Sequence, residues 1–247
     1  MVLIGFTPLL VRLVQSIGKD PKPTDLRFEH ISTNASSTGS LDVVEAELET
    51  SRLSQIGLEI FDTFVDIIED PGSKDRERFK RAAQREEDCD RLAFDITRFL
   101  THCSTNKLSE EKADDVTALF MTVAELEEVS DAAYRLAQIA ERRAVEGIVF
   151  DELVEERLKA LLRHLRDFIQ FVNQSTKERT TIASMETAQQ YRDGVKNSIK
   201  SLRQKQTQLM HRNGDIDSGM IVIDLLSFLK TVNSDLFNVM QALCRRG

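Results

Sequence analysis

A chain of 247 residues, with 41% hydrophobic and 30% charged side chains, has enough apolar material for one large or two modest cores and is not a disordered tail. Its formal net charge of -8 argues against nucleic acid as a partner, because a phosphate-backbone binder needs a basic stripe to displace counterions. Cys89, Cys103 and Cys244 are odd in number and form no close pair of the kind that holds zinc, which fits a reducing, cytoplasmic setting.

The first segment, Val2 to Ile17, is apolar apart from Thr7, Arg12, Gln15 and Ser16. It is shorter than the roughly 20 residues a helix needs to span a bilayer, and it lacks the basic leader and small-residue cleavage site of a signal peptide. Three readings stay open for residues 1–18: an amphipathic docking helix, an ordinary buried helix, or the end of a transmembrane segment. Arg12 within its second half, and Lys19, Lys22 and Arg27 after it, stand as expected on the cytoplasmic side of a membrane. Residues 19–40, with Pro21, Pro23 and a Ser/Thr/Asn run, read as a linker.

Beyond Pro71 there is no proline, and apolar residues recur at spacings of three and four. The pattern predicts six helices near 41–69, 74–104, 109–144, 150–175, 182–212 and 217–245. Asp70-Pro71-Gly72-Ser73 breaks the first pair, Ser109 stands as an N-cap before the acidic residues Glu110 and Glu111, and Asn213-Gly214-Asp215 marks a turn.

Sliding the chain against itself by 103 residues places Asp90 on Asp193 and Ile96 on Ile199, while a shift of 104 places Asp131 on Asp235, Phe61 on Leu165 and Phe64 on Phe168. Acidic residues have no packing reason to recur. The fold predicted is therefore all-α: a tandem pair of antiparallel three-helix bundles, residues 41–146 and 147–247, preceded by a short apolar N-terminal helix.

Glu86 and Asp90 stand four apart on the second helix, and Glu127 and Asp131 repeat that spacing on the third. Each pair projects from one helix face, so side-by-side packing would bring carboxylates together for a hard or borderline cation. The plainer alternative is a solvated acidic face. In the second unit the positions matching Glu86 and Glu127 are Gln189 and Thr231, so only Asp193 and Asp235 persist as doubtful counterparts.

No Glu-x-x-His step of a di-iron oxidase occurs, His30, His102, His164 and His211 stand apart, and the ten glycines are scattered rather than gathered into a phosphate loop. Phe61, Phe64, Phe168, Phe171 and Phe228 lie at core spacing. No catalytic set stands out, so the expectation is a non-enzyme with no catalytic residue. The later half carries Lys196, Lys200, Arg203, Lys205, Arg245 and Arg246, an asymmetry that suits either orientation against a partner or plain solvation.

Two three-helix units, with Glu86 to Asp90 on a second helix and Glu125-Leu126-Glu127-Glu128-Val129-Ser130-Asp131 on a third, resemble the PhoU domain of bacterial phosphate regulation. The order Phe6-Thr7-Pro8-Leu9-Leu10-Val11-Arg12-Leu13-Val14, polar linker, then a long helix is similar to the C-terminal cytoplasmic region of bacterial sodium/phosphate cotransporters. The resemblance implies iron or zinc held by Glu86, Asp90, Glu127 and Asp131. It also implies regulatory contact with a phosphate-transporter membrane domain, a membrane surface or a sensor kinase, at the cytoplasmic face of the cell membrane. The alternative is a free-standing PhoU-like regulator of phosphate uptake that binds an ABC transporter or kinase. A homo-oligomer is compatible with either.

Overall fold

The computed structural model describes residues 39–72, 75–104, 109–178, 180–213 and 216–245. Six helices account for nearly all of them: α1 (Gly39–Glu69), α2 (Asp75–Ser104), α3 (Glu110–Glu146), α4 (Glu152–Ser175), α5 (Ile182–Asn213) and α6 (Ile216–Leu243). There is no strand among the described residues, and the predicted helix boundaries differ from these by two residues at most. The apolar segment 1–18, the linker up to residue 38 and the turn residues Gly214 and Asp215 lie outside the described residues. Among the described residues no helix is long and apolar enough to cross a membrane.

The helix ends show why the breaks fall where they do. The last carbonyls of a helix lack intrahelical partners, and at the end of α1 Arg78 of α2 supplies one for Asp70 and a second for Asp66, which also accepts from Asp70 N–H at 3.1 Å. Its Nη1 donates to the carbonyls of Asp70 at 2.6 Å and Asp66 at 3.3 Å, while Nη2 reaches the Asp70 carboxylate at 2.9 Å. Ser109 holds the N-cap position of α3 with extended backbone, yet its hydroxyl makes no capping bond; its carbonyl accepts from Ala113 N–H at 3.0 Å. Gly147 ends α3 at φ 64, in the left-handed region where a Cβ is penalised. Four residues later the Asp151 side chain accepts from Leu153 N–H at 3.1 Å and opens α4.

Neighbouring helices run antiparallel, and one continuous core extends from Val43 to Leu243. Phe61, Phe64 and Phe168 are completely buried, and each contributes about 1.5–3 kcal/mol relative to exposure. Phe61 meets Phe64 edge-on at 5.6 Å, Phe168 stacks on Tyr191 at 5.5 Å, and Phe171 and Phe228 pack partly buried against the same core. All five predicted core phenylalanines are thus packing residues. Helices α4 and α5 approach so closely at Gly194 that a Cβ there would sit 2.4 Å from the His164 ring.

Two seams join the first three helices to the last three. Along α1 and α4, Asn173 donates to Gln55 at 2.7 Å and Arg166 pairs with Asp62 at 2.7 and 3.0 Å. Along α3 and α6, Asn238 donates to Glu125 at 3.0 Å and Arg142 to Asp224 at 3.2 Å. In both seams the partner's number falls as the residue's number rises, so helices equivalent in the repeat face each other in opposite directions, as the halves of a two-fold pair do. Helix α6 packs more extensively on α3 than on α4 or α5.

Candidate metal centre

The Glu86/Asp90 face of α2 lies against the Asp131 face of α3. One carboxylate oxygen from each of Glu86, Asp90 and Asp131 lies within 4.8 Å of the others. Successive helical residues are about 100° apart, which puts Glu86 and Asp90 on one stripe of α2 pointing across the interface. The cost of that convergence shows in their protonation. Burial first, then the charges of Asp90, Asp131 and Glu87, pushes the Glu86 carboxyl up to about 7, with Arg135 opposing. Asp90 is pushed up to about 6 by burial, Asp131 and Glu87. Near neutral pH the group therefore carries more negative charge than it easily holds.

Oxygen ligands to one ion sit at about 2.0–2.6 Å from it, so two of them can be no more than about 4–5 Å apart. The three carboxylates fall inside that span and are hard oxygen donors, so they fit a divalent cation bridging α2 and α3. Glu127, also predicted, is half-buried on α3 and is not one of the three. Its charge, with those of Asp90 and Asp131, acts on the Cys89 thiol, which burial raises far enough to keep it protonated.

The second-unit counterparts do not mirror this arrangement. Asp193 on α5 is exposed and accepts from Gln189 Nε2 at 2.8 Å, so the glutamine standing at the Glu86-equivalent position acts as a hydrogen-bond donor to it. Asp235 on α6 is half-buried and pushed up to about 7 by burial and then by Glu125 and Glu128, both on α3. Its electrostatic environment thus comes from the first three helices. Glu125 is itself raised by burial, while the bond from Asn238 works the other way. In the sequence Glu125 and Glu128 stand only as flanks of Glu127. The signal was there: three residues apart, they share a face of α3 next to the one carrying Glu127 and Asp131. That this second face meets α6 is not a property of α3 alone.

Residues 50–140 match the PhoU domain. The match runs from within α1 to within α3 and includes Glu86, Asp90, Glu127 and Asp131. PhoU from Pseudomonas aeruginosa superposes with a TM-score of 0.76 at 12% identity, covering 83% of this chain and 97% of that one. The phosphate transport system regulatory protein PhoU from Streptococcus pneumoniae gives 0.73 at 14% identity, covering 83% and 95%. No curated protein matches the sequence. The fold is the PhoU fold across both halves, and the match to the PhoU domain in sequence lies in the first.

Proposed function

We propose that this chain is a PhoU-like regulatory domain of sodium-dependent phosphate transport, acting at the cytoplasmic face of the cell membrane against a transporter's membrane domain. The observation that carries the reading is the PhoU domain match over the half whose α2–α3 interface gathers Glu86, Asp90 and Asp131. The apolar run before the linker, with Arg12 in its second half and Lys19, Lys22 and Arg27 after it, supports the membrane side of it. On this reading Glu86, Asp90 and Asp131 hold iron or zinc, with Glu127 alongside, and the cation clamps α2 to α3. The chain's part is regulatory, with no catalytic step of its own.

Fractionation of the native host combined with phosphate-uptake measurements tests this. Protein in the membrane fraction, together with an altered sodium-dependent uptake rate on deletion, is the expected outcome. Protein in the soluble fraction with altered uptake supports instead a free-standing regulator of an ABC transporter or kinase. Unchanged uptake on deletion sinks both.

A further inference from the structure

The later-half basic residues are not scattered over the surface. Arg192, Lys196, Lys200 and Arg203 of α5 and Lys230 of α6 line one open groove of about 950 Å³, and no acidic residue lines it. Among the described residues none of the five forms an ion pair. In a chain of net charge -8, with acids enough to neutralise them, five adjacent unpaired cations are an electrostatic cost that a bound anion removes. The site is also partly pre-formed, since the Arg192 guanidinium lies 4.3 Å over the Phe237 ring.

A second observation comes from the groove's inner wall. Asn233 of α6, 4% exposed, donates from Nδ2 to the Arg192 carbonyl at 3.1 Å, and its buried Oδ1 accepts nothing. An unpartnered buried acceptor costs about 1–3 kcal/mol; Asn233 lines the groove, and a turn of its amide toward the opening presents Oδ1 to a ligand's donor. A ligand that satisfies both must present anionic oxygens to the cations and one O–H to Asn233. Phosphate does this at neutral pH because its second pKa is near 6, so a P–OH persists in part; sulfate and carboxylates do not.

Size and composition narrow the class. From Arg192 to Arg203 the cations run along about 16 Å of helix, longer than a single phosphate can bridge. Ile199 is the one aliphatic residue in the lining and no aromatic residue lines it. A peptide helix would need an apolar stripe, and single-stranded nucleic acid would need stacking surfaces. A membrane surface would meet a convex basic face, whereas this one is a trough. We propose that the α5–α6 groove binds a soluble linear anion carrying several phosphate groups in a row, its oxygens on the Arg/Lys ladder and a terminal P–OH on Asn233.

This inference is independent of the regulatory reading and of the cation between α2 and α3. Calorimetric titration of the full chain with tripolyphosphate at near-physiological salt tests it. The expected result is saturable one-to-one binding that weakens at least tenfold in the Lys200→Gln/Arg203→Gln variant. Circular dichroism and Tm of that variant stay unchanged, because both side chains are exposed. Arg157→Gln, an exposed cation on α4, leaves the affinity as it was. As competitors at equal ionic strength, orthophosphate displaces tripolyphosphate better than sulfate does, and a hexaglutamate peptide is at least tenfold weaker than tripolyphosphate. Absence of saturable heat overturns the proposal, as does an equal loss in Arg157→Gln. So do hexaglutamate or oligothymidylate binding as tightly as tripolyphosphate, and capture by phosphatidylglycerol vesicles that tripolyphosphate does not reverse.

Discussion

Asp235 shows how far one residue's chemistry depends on the helix across from it. In the unfolded chain it titrates at its ordinary 3.8, and in the fold at about 7. Between those values the folded state holds a proton the unfolded chain has released, so stability falls as pH rises from about 4 to about 7. The contribution is fully present below the lower value and gone above the upper one. Asp235→Asn keeps the neutral form throughout. It is expected to raise Tm at pH 8 by about 2–4 °C, corresponding to about 1 kcal/mol after discounting for solvent screening, and to leave Tm unchanged at pH 4. The Glu86/Asp90/Asp131 group calls for a different experiment, because a cation and a proton relieve the same repulsion. At pH 7.5, zinc or ferrous iron at about 100 times its Kd is expected to stabilise the protein by about 2.7 kcal/mol. Asp90→Asn is expected to be more stable than the parent without metal and to lose the metal-induced rise, read by thermal melts and by elemental analysis. A solvated acidic face would show the first effect and no metal response in the parent.

At the scale of elements, Arg143 holds the turn end of the first three helices together. It is 7% exposed, donates from Nη1 to the Ile68 carbonyl at 3.3 Å and from Nε to the Ile148 carbonyl at 3.1 Å, and lies 4.0 Å over the Phe150 ring. One side chain thus satisfies a carbonyl in the last turn of α1, fixes the α3–α4 connection and covers an aromatic face. A lysine at the same position has a single donor point and cannot fork to both carbonyls. Arg143→Lys is expected to lower stability by about 2–3 kcal/mol, seen as a lower urea midpoint with an unchanged m value. The six helices themselves were legible in the sequence, since period, proline placement and turn residues all agree. Arg143 was not, because an arginine at the end of an amphipathic helix looks like any solvated cation until the carbonyls it caps are placed beside it.

For the whole molecule, the α1–α4 and α3–α6 seams decide how the two predicted units behave. α4 and α6 touch only sparsely, and the buried face of α6, including Leu236, Val239 and Met240, belongs to a core shared with α3. Unfolding in urea is expected to be a single transition by both circular dichroism and fluorescence of a label on Cys244, and residues 147–247 expressed alone are expected to lack a cooperative transition. Two separated transitions would show that the halves are independent domains.

The sequence by itself determined the helix count, their boundaries to within two residues, the core phenylalanines and the spacing that sets Glu86 above Asp90. These follow from local periodicity, which needs no neighbour to express itself. Net charge was legible too, but it averages over the surface and so concealed a groove where, among the described residues, five cations stand without an acid. Tertiary structure alone decided which acidic face of α3 meets α2 and which meets α6. It left Glu127 out of the three carboxylates that converge, and placed Asp235 under the charges of Glu125 and Glu128. The reason is physical: a helix fixes the angle between its own side chains, whereas the distance between charges on different helices, and the water removed between them, exists only once the helices have packed.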